Sequence, residues 1–116
     1  MGWDAQDADV AQVRDDSFLN FVLEQLETFG DVRARAMFGG HGLYQREVFF
    51  GIVHERRLYF KTNSVTRPRY TARGMDAFRP KPGMILKTYF EVPQEVLESP
   101  RDLSVWASEA VRVESG

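Results

Sequence analysis

The fold of this chain is decided by residues 33–61, which read RARAMFGGHGLYQREVFFGIVHERRLYFK. Aromatic and β-branched residues, which favour strands, cluster there between a glycine-rich segment and two short charged segments. The stretch therefore predicts three or four short strands joined by turns, in an antiparallel meander.

The first of these strands has two different faces. Small and apolar residues alternate with Arg33 and Arg35 from Val32 onward, so both guanidinium groups are expected to point away from the core. The three glycines that follow are predicted to form a structural loop, since glycine permits positive φ angles and close backbone approach. They are Gly39, Gly40 and Gly42.

The later strands differ in how they are expected to be covered. Residues 48–53 are almost continuously apolar, which predicts a strand covered on both faces. In residues 58–61, Leu58 and Phe60 alternate with Tyr59 and Lys61. This pattern predicts a half-buried strand, with Tyr59 and Lys61 pointing outward. A last strand is expected at residues 84–92, whereas the prolines of residues 78–83 predict a stiff connector.

Three helices complete the predicted domain. Apolar residues at helical spacing occupy residues 18–29, and Gly30 is suited to follow the helix end. A short helix is predicted from Val65 to about Arg73, and a longer one begins with a serine cap at Ser99. Together these elements predict an α+β fold with an antiparallel sheet of about five strands and helices packed on one face.

Composition indicates one domain without a membrane segment. A chain of 116 residues has room for a single core, expected here at residues 16–113, after a disordered acidic tail at residues 1–15. No apolar run approaches the ~20 residues of a spanning helix, and the acidic start is unlike a signal peptide. We therefore expect a cytoplasmic protein, in agreement with the absence of cysteine.

Charge is strongly segregated along the chain although the net charge is only −2. Residues 1–31 hold eight acids and one arginine, residues 32–90 hold twelve bases and three acids, and residues 91–116 hold six acids and two arginines. Segregation of this kind concerns partners more than fold. The basic middle segment is therefore the place to look for a binding surface.

No pattern for catalysis or cofactor binding is evident. The glycine-rich segment joins two predicted strands, whereas a phosphate-binding loop precedes a helix N-terminus. His41 and His54 are expected as surface residues in turns, without the convergent ligands that a metal needs. We predict no enzyme, no metal and no cofactor, with a small-molecule or hydrolytic site at His41 and its glycines as the alternative.

The candidate binding surface combines cations with aromatic rings on the outward side of the sheet. Such a combination can hold phosphates while bases stack, so nucleic acid is one possible partner. The alternative is that acidic helices, from the chain or from a partner, neutralise the cations around a protein interface. The pI of about 5.7 favours this protein interface. The candidate residues are Arg33, Arg35, Tyr59, Lys61, Lys87 and Tyr89.

Several segments resemble the TfoX N-terminal domain family. They are MFGGHGLY at residues 37–44, FGI at 50–52, LYFK at 58–61, YFEVP at 89–93, and Leu103 with Trp106 and Ala107. The resemblance extends from about Phe18 to Ala110, with Glu47 at a turn position where the family often has glycine.

This resemblance implies a fold and a function. The implied fold is a curved antiparallel sheet flanked by helices, similar to the type III secretion chaperone arrangement. The implied function is that of a non-enzymatic regulatory module in natural competence for DNA uptake, whose regulators typically carry a second, C-terminal domain. The expected partner is a protein, such as a transcription factor or a second copy of this chain bound through a face or an edge of the sheet.

Overall fold

The protein is described here by a computed structural model that covers residues 17–37 and 39–115. The tail expected at residues 1–15 lies outside the described residues. The strands are β1 (Val32–Met37), β2 (Gly40–Gln45), β3 (Val48–His54), β4 (Arg57–Lys61), β5 (Ala77–Lys81) and β6 (Met84–Glu91). The helices are α1 (17–25), α2 (Arg67–Thr71), α3 (Gln94–Leu97) and α4 (Pro100–Ser115).

The strands form one antiparallel sheet in the order β1-β2-β3-β4-β6-β5. The first four strands follow one another as a meander, and β6 then pairs with β4 after the chain has passed through α2 and β5. This arrangement confirms the predicted α+β fold. It leaves β1 at one edge of the described sheet and β5 at the other.

The connector predicted at residues 78–83 is wrong, because most of that segment forms β5. Ala77 pairs with Phe90, Phe78 with Leu86 and Lys81 with Met84, with irregularities between these pairs. Proline cannot donate to a strand ladder and is therefore tolerated mainly on edge strands or at bulges. Pro80 meets that condition because β5 has β6 as its neighbour in the described sheet and lies at its edge.

The helix face of the sheet carries the main core. Leu43, Phe50 and Phe60 are completely buried there and pack with apolar residues of α1, of the turn after it and of α4, which are Leu19, Val22, Leu26, Leu103, Trp106, Ala107 and Ala110. Phe50 reaches this face through a bulge, since Tyr44 pairs with Phe49 and Leu43 with Gly51. β3 is buried on both faces, as its apolar run predicted, because Phe50 and Val53 belong to the main core and Ile52 to a second cluster on the other face.

The opposite face, defined as the sheet face turned away from α1 and α4, has a smaller cluster of its own. Ile52, Tyr59, Phe78 and Tyr89 are buried in it, and Phe49 and Leu86 pack at its side. Phe78 of β5 is completely buried, with its ring centroid 4.7 Å from that of Tyr59. Consequently β4 is buried on both faces, and the prediction of a half-buried strand there is wrong.

Glycine and capping residues act as the sequence predicts at most element ends. Gly30 and Gly74 have φ angles of 90° and 76° after α1 and α2, and the amide of Asp102 donates to Ser99 Oγ at the start of α4. Helices α1 and α2 are shorter than predicted, since α1 ends at residue 25, with turns at residues 26–29 before Gly30, and α2 covers Arg67–Thr71 only. The single turn of α3 was not predicted. These differences affect the ends of the elements but not their packing.

The glycine-rich segment differs from the predicted loop. Gly39 has a φ of 76° and lies in the turn, but Gly40 and Gly42 belong to β2. A Cβ on Gly40 would collide with the carbonyl oxygen of Val53, and one on Gly42 would lie 2.6 Å from Met37 Cε. The predicted close approach is therefore correct for these two glycines, whereas the predicted extent of the loop is wrong.

Candidate functional site

Three aromatic rings form a row across the opposite face. The ring of Tyr44 stacks on that of Phe49 with centroids 5.1 Å apart, and Phe49 lies 5.5 Å from Tyr89. Antiparallel pairing positions the first two, because Tyr44 of β2 is the partner of Phe49 in β3. We call Tyr44, Phe49 and Tyr89 the aromatic row.

Cations cover both ends of the aromatic row. The guanidinium carbons of Arg33 and Arg35 lie 5.3 and 5.8 Å from the Tyr44 centroid, and Lys61 Nζ lies 5.1 Å from that of Tyr89. A cation within about 6 Å of a ring centroid is attracted by the negative face of the ring. The cations and the row therefore form one continuous surface, and we call this set of six residues the cationic aromatic face.

Four of the six candidate residues from the sequence are brought together on this face, namely Arg33, Arg35, Lys61 and Tyr89. Tyr59 points to the same side but is only 8% exposed beneath Phe78, and Tyr89 is only 6% exposed, so neither ring is accessible as expected. Lys87 is exposed on β6. It lies between Leu86 and Phe90, which pair with Phe78 and Ala77 of β5.

Two residues of the face, Tyr44 and Phe49, were missed by the sequence analysis. A signal for Tyr44 exists, since antiparallel pairing of β1 with β2 makes it the partner of Arg33. Phe49 could not be assigned to a face from the sequence, because the bulge at Phe50 reverses the alternation that strand patterns rely on.

Most arginines of the basic middle segment that form ion pairs do so with acids outside that segment. Arg57 Nη1 donates to Glu91 Oε1 at 2.9 Å, and Arg69 Nη1 donates to Glu109 Oε1 at 2.7 Å. The further pairs join Arg46 to Asp31, Arg73 to Glu95 and, at 3.9 Å, Arg33 to Glu47. Charges that are segregated in the sequence are thus partly neutralised in the fold.

These contacts also affect ionisation. The hydrogen bond and the charge of Glu91 raise the pKa of Arg57, so this guanidinium stays charged. Burial raises the pKa of Tyr59, with a further contribution from the charge of Glu91. Burial is also the main cause of the raised pKa of Tyr70 in the main core. None of these shifts makes a side chain a better acid, base or nucleophile near neutral pH.

Comparison with known proteins identifies the family. Residues 24–113 match the TfoX N-terminal domain. The chain belongs to the TfoX N-terminal domain family. It is also 28% identical over 99 residues to the DNA transformation protein TfoX1 of Aliivibrio fischeri, a match that covers 84% of this chain and 46% of that relative. The TfoX N-terminal domain family is linked to competence-related proteins and is not known as enzymatic.

The histidines of this TfoX N-terminal domain are not where the sequence predicted. His41 is half-buried within β2, and His54 is buried at the end of β3, where its ring lies edge-on to Phe78 at 5.1 Å. The prediction of surface histidines in turns is therefore wrong. Across residues 17–37 and 39–115, no group of three His, Asp or Glu side chains is placed to hold a metal ion.

The TfoX N-terminal domain also has a hollow of about 600 Å³ beside α1. Phe18 and Phe21 line it together with Arg56, whose guanidinium carbon lies 5.8 Å from the centroid of Phe18. Glu91 and Leu97 are also among its lining residues. None of the described helices combines the length and apolar character needed to span a membrane.

Proposed function

We propose that this TfoX N-terminal domain is a non-enzymatic regulatory module that acts in the cytoplasm by binding another protein. Through this contact it regulates transcription in the development of competence or in a related process. The family match supports the link to competence. The DNA transformation protein TfoX1 supports the same link by its name, although this chain covers 46% of it.

The observation that carries the proposal is the cationic aromatic face. Arginine and tyrosine are enriched among the residues that dominate protein binding, because a rigid ring or a planar cation buries a large area at little cost in flexibility. Arg33, Arg35 and Tyr44 combine these properties at the β1 edge of the sheet. We infer that the partner presents acidic side chains beside an apolar patch.

A partner protein fits the β1 edge better than a second copy of this chain. If two β1 strands paired antiparallel about Ala34, Arg33 of each would lie opposite Arg35 of the other. Like charges placed directly opposite each other on neighbouring strands are destabilising. The class of partner we propose is therefore a different protein, with a transcription factor as the specific candidate, and the homodimer is the weaker alternative.

The test uses a photo-cross-linking amino acid at position 35, with position 105 as the control. Val105 is 52% exposed on α4, away from the cationic aromatic face. We expect cross-linking in cells to join one protein to position 35 and not to position 105. That protein, once purified, should bind the wild type and should bind an Arg33→Ala/Arg35→Ala variant at least ~10-fold more weakly, as expected for central interface residues.

Transcription provides the second readout. Cells that produce the Arg33→Ala/Arg35→Ala variant should lose the transcript changes that the wild type causes. The matched control is Arg101→Ala/Arg112→Ala, which removes the same charge from exposed positions of α4. Full regulation by the face variant, at equal protein level, would contradict the proposal.

Direct nucleic-acid binding by the same face is the second candidate function, favoured by the alternation of cations and rings. Stacking of bases requires an accessible ring, however. Tyr59 and Tyr89 are buried, and the guanidinium groups of Arg33 and Arg35 lie over the half-buried ring of Tyr44. Titration with single-stranded oligonucleotides separates the candidates, because the Arg33→Ala/Arg35→Ala variant should bind them as the wild type does if the partner is a protein.

A further inference from the structure

The cations of the β5–β6 hairpin are not used by the proposed function. Residues 77–90 contain three cations and no acid. Arg79, Lys81 and Lys87 are all exposed. Arg79 and Lys81 are two residues apart on β5, where alternate side chains project to the same side of a strand. We call residues 77–87 the basic hairpin.

The cations of the basic hairpin differ in their neighbours from four arginines of the middle segment. Arg46, Arg57, Arg69 and Arg73 each have an acidic partner within 4 Å, whereas none of the described ion pairs includes a cation of the hairpin. Glu55, in the β3–β4 turn, lines a hollow of about 460 Å³ together with Arg79 and Lys81, but it forms no ion pair with either. The hairpin therefore keeps its positive charge.

The tip of the basic hairpin is stiff and partly apolar. Pro80 and Pro82 fix two φ angles on either side of Lys81, and Gly83 has a φ of 82° in the turn. Pro82 is exposed, and Ile85 is 41% exposed although it belongs to a strand. An apolar side chain at the tip of a cationic ribbon is not explained by packing within the described domain.

We propose that the basic hairpin is a contact for duplex DNA. A groove of B-form DNA can admit a two-stranded ribbon, and exposed lysine and arginine side chains then reach the phosphates beside it. Isoleucine and proline are among the residues that DNA-binding proteins press against base steps. Arg79, Lys81 and Lys87 hold phosphates in this arrangement, and Pro82 and Ile85 contact the groove.

Other partners fit the basic hairpin less well. Binding at a membrane interface requires a broad apolar face, and the exposed apolar side chains of the hairpin tip are those of Pro82 and Ile85. Duplex RNA is excluded by shape, because its major groove is too deep and narrow for side chains to enter. This inference goes beyond the proposed protein contact, because the cations of the hairpin lie on β5 and β6, whereas Arg33, Arg35 and Tyr44 lie on β1 and β2 at the other edge of the sheet.

The test measures binding of a fluorescent DNA duplex by anisotropy at several salt concentrations. Release of counterions by three phosphate contacts gives a slope of log K against log salt of about −2.7, because each contact contributes about −0.9. The affinity should therefore fall about 40-fold between about 50 mM and about 200 mM salt. The single strand and an anionic phospholipid vesicle serve as competing ligands.

Matched variants assign any binding to the hairpin. Lys81→Gln/Lys87→Gln should weaken binding and make the slope shallower by about 2, since two phosphate contacts are lost. The control Arg101→Gln/Arg112→Gln changes the net charge equally on α4 and should leave the affinity and the slope unchanged. Equal losses in both variants, or a wild type that binds without salt dependence, would overturn the proposal.

Two further variants separate the apolar contact from the charges. Ile85→Ser should weaken binding several-fold without changing the salt slope, whereas Val105→Ser on α4 should have no effect. Glu55→Gln removes the acid beside the hairpin and should strengthen binding. Tighter binding of the vesicle or of the single strand than of the duplex, lost in the same lysine variant, would reject duplex DNA as the partner.

Discussion

The two faces of the sheet are buried by different means. On the helix face, Leu43 and Phe60 are covered by the apolar sides of α1 and α4. On the opposite face, Tyr59 is covered by Phe78 from the edge strand of the same sheet, and the aromatic row carries cations over its rings. The opposite face thus buries aromatic area without a helix, and its outer part remains suited to binding.

This difference shows how one sheet can be both a core and a surface. Helices remove a whole face from water, so the helix face contributes most of the apolar burial that stabilises the domain. Arginine and lysine cover apolar area with their stems and keep their charges in water. A partner could therefore bind Arg33, Arg35 and Tyr44 without exposing the main core.

The largest expected effect of a single substitution is that of Phe60→Ala on the helix face. Phe60 is completely buried, and its ring centroid lies 5.6 Å from that of Phe50. Truncation of a fully buried phenylalanine leaves a cavity and costs about 3 to 5 kcal/mol of unfolding free energy. Urea denaturation followed by circular dichroism measures this loss. A loss below about 1 kcal/mol would show that the helix face is loosely packed.

A smaller effect is expected for Phe78→Ala on the opposite face. Phe78 is also completely buried, but it belongs to the smaller cluster and to an edge strand. Because the smaller cluster can relax more easily around the missing ring, the free energy of unfolding should fall by about 3 kcal/mol, the lower end of the range for buried phenylalanine.

The same denaturation experiment checks the Phe78 prediction. Exposure of Tyr59 in the Phe78→Ala variant should also increase its reactivity toward a tyrosine-nitrating reagent. A cost equal to that of Phe60→Ala would mean that both faces contribute equally, and the comparison of the faces would fail.

The helix face could be predicted from the sequence, and the opposite face only in part. Local geometry alone determines the alternation of apolar and polar residues in 32–38 and the helical spacing of apolar residues in 18–29 and in α4. These patterns therefore place Leu26 and Trp106 in the core directly. The outward direction of Arg33 and Arg35 follows from the same alternation. The residues that cover Tyr59 and His54 could not be found in this way, because Phe78 lies in a segment whose prolines argue against a strand.

Long-range pairing limits the prediction of the candidate site in a similar way. Alternation within each strand indicates that Lys61 and Tyr89 point outward. Their contact also requires β4 and β6 to be neighbours, which is a property of the whole topology. The bulge at Phe50 cannot be detected from the sequence, because all the residues around it are apolar or glycine. The ion pair between Arg69 and Glu109 joins residues 40 positions apart, so the sequence could suggest neutralisation of the basic segment but not the partners.

The pH dependence of stability should also distinguish the faces. Burial raises the pKa of Tyr70, on the helix face, and of Tyr59, on the opposite face. As the pH rises above about 10, these tyrosines ionise in the unfolded chain while they stay protonated in the fold, so the unfolded state gains stability. The stabilising contribution is therefore complete below about pH 10 and is lost at higher pH.

Two phenylalanine variants test this pH dependence. Tyr70→Phe should make the alkaline decrease in unfolding free energy shallower, and Tyr59→Phe should do so to a smaller extent, because Tyr70 is 2% exposed and Tyr59 8%. Urea denaturation at a series of alkaline pH values measures both slopes. The opposite order of the two variants would show that the smaller cluster on the opposite face is the better protected from water.

The smallest expected effect concerns the contact of Arg35 with Tyr44 on the cationic aromatic face. A double-mutant cycle with Arg35→Ala and Tyr44→Leu should give a coupling free energy of about 0.5 to 1 kcal/mol, as is usual for an exposed cation over a ring. The coupling should persist at high salt better than an exposed ion pair does, since part of it comes from contact of the guanidinium plane with the ring. Coupling close to zero would mean that Arg33 alone covers Tyr44, and that Arg35 is available in full for a partner.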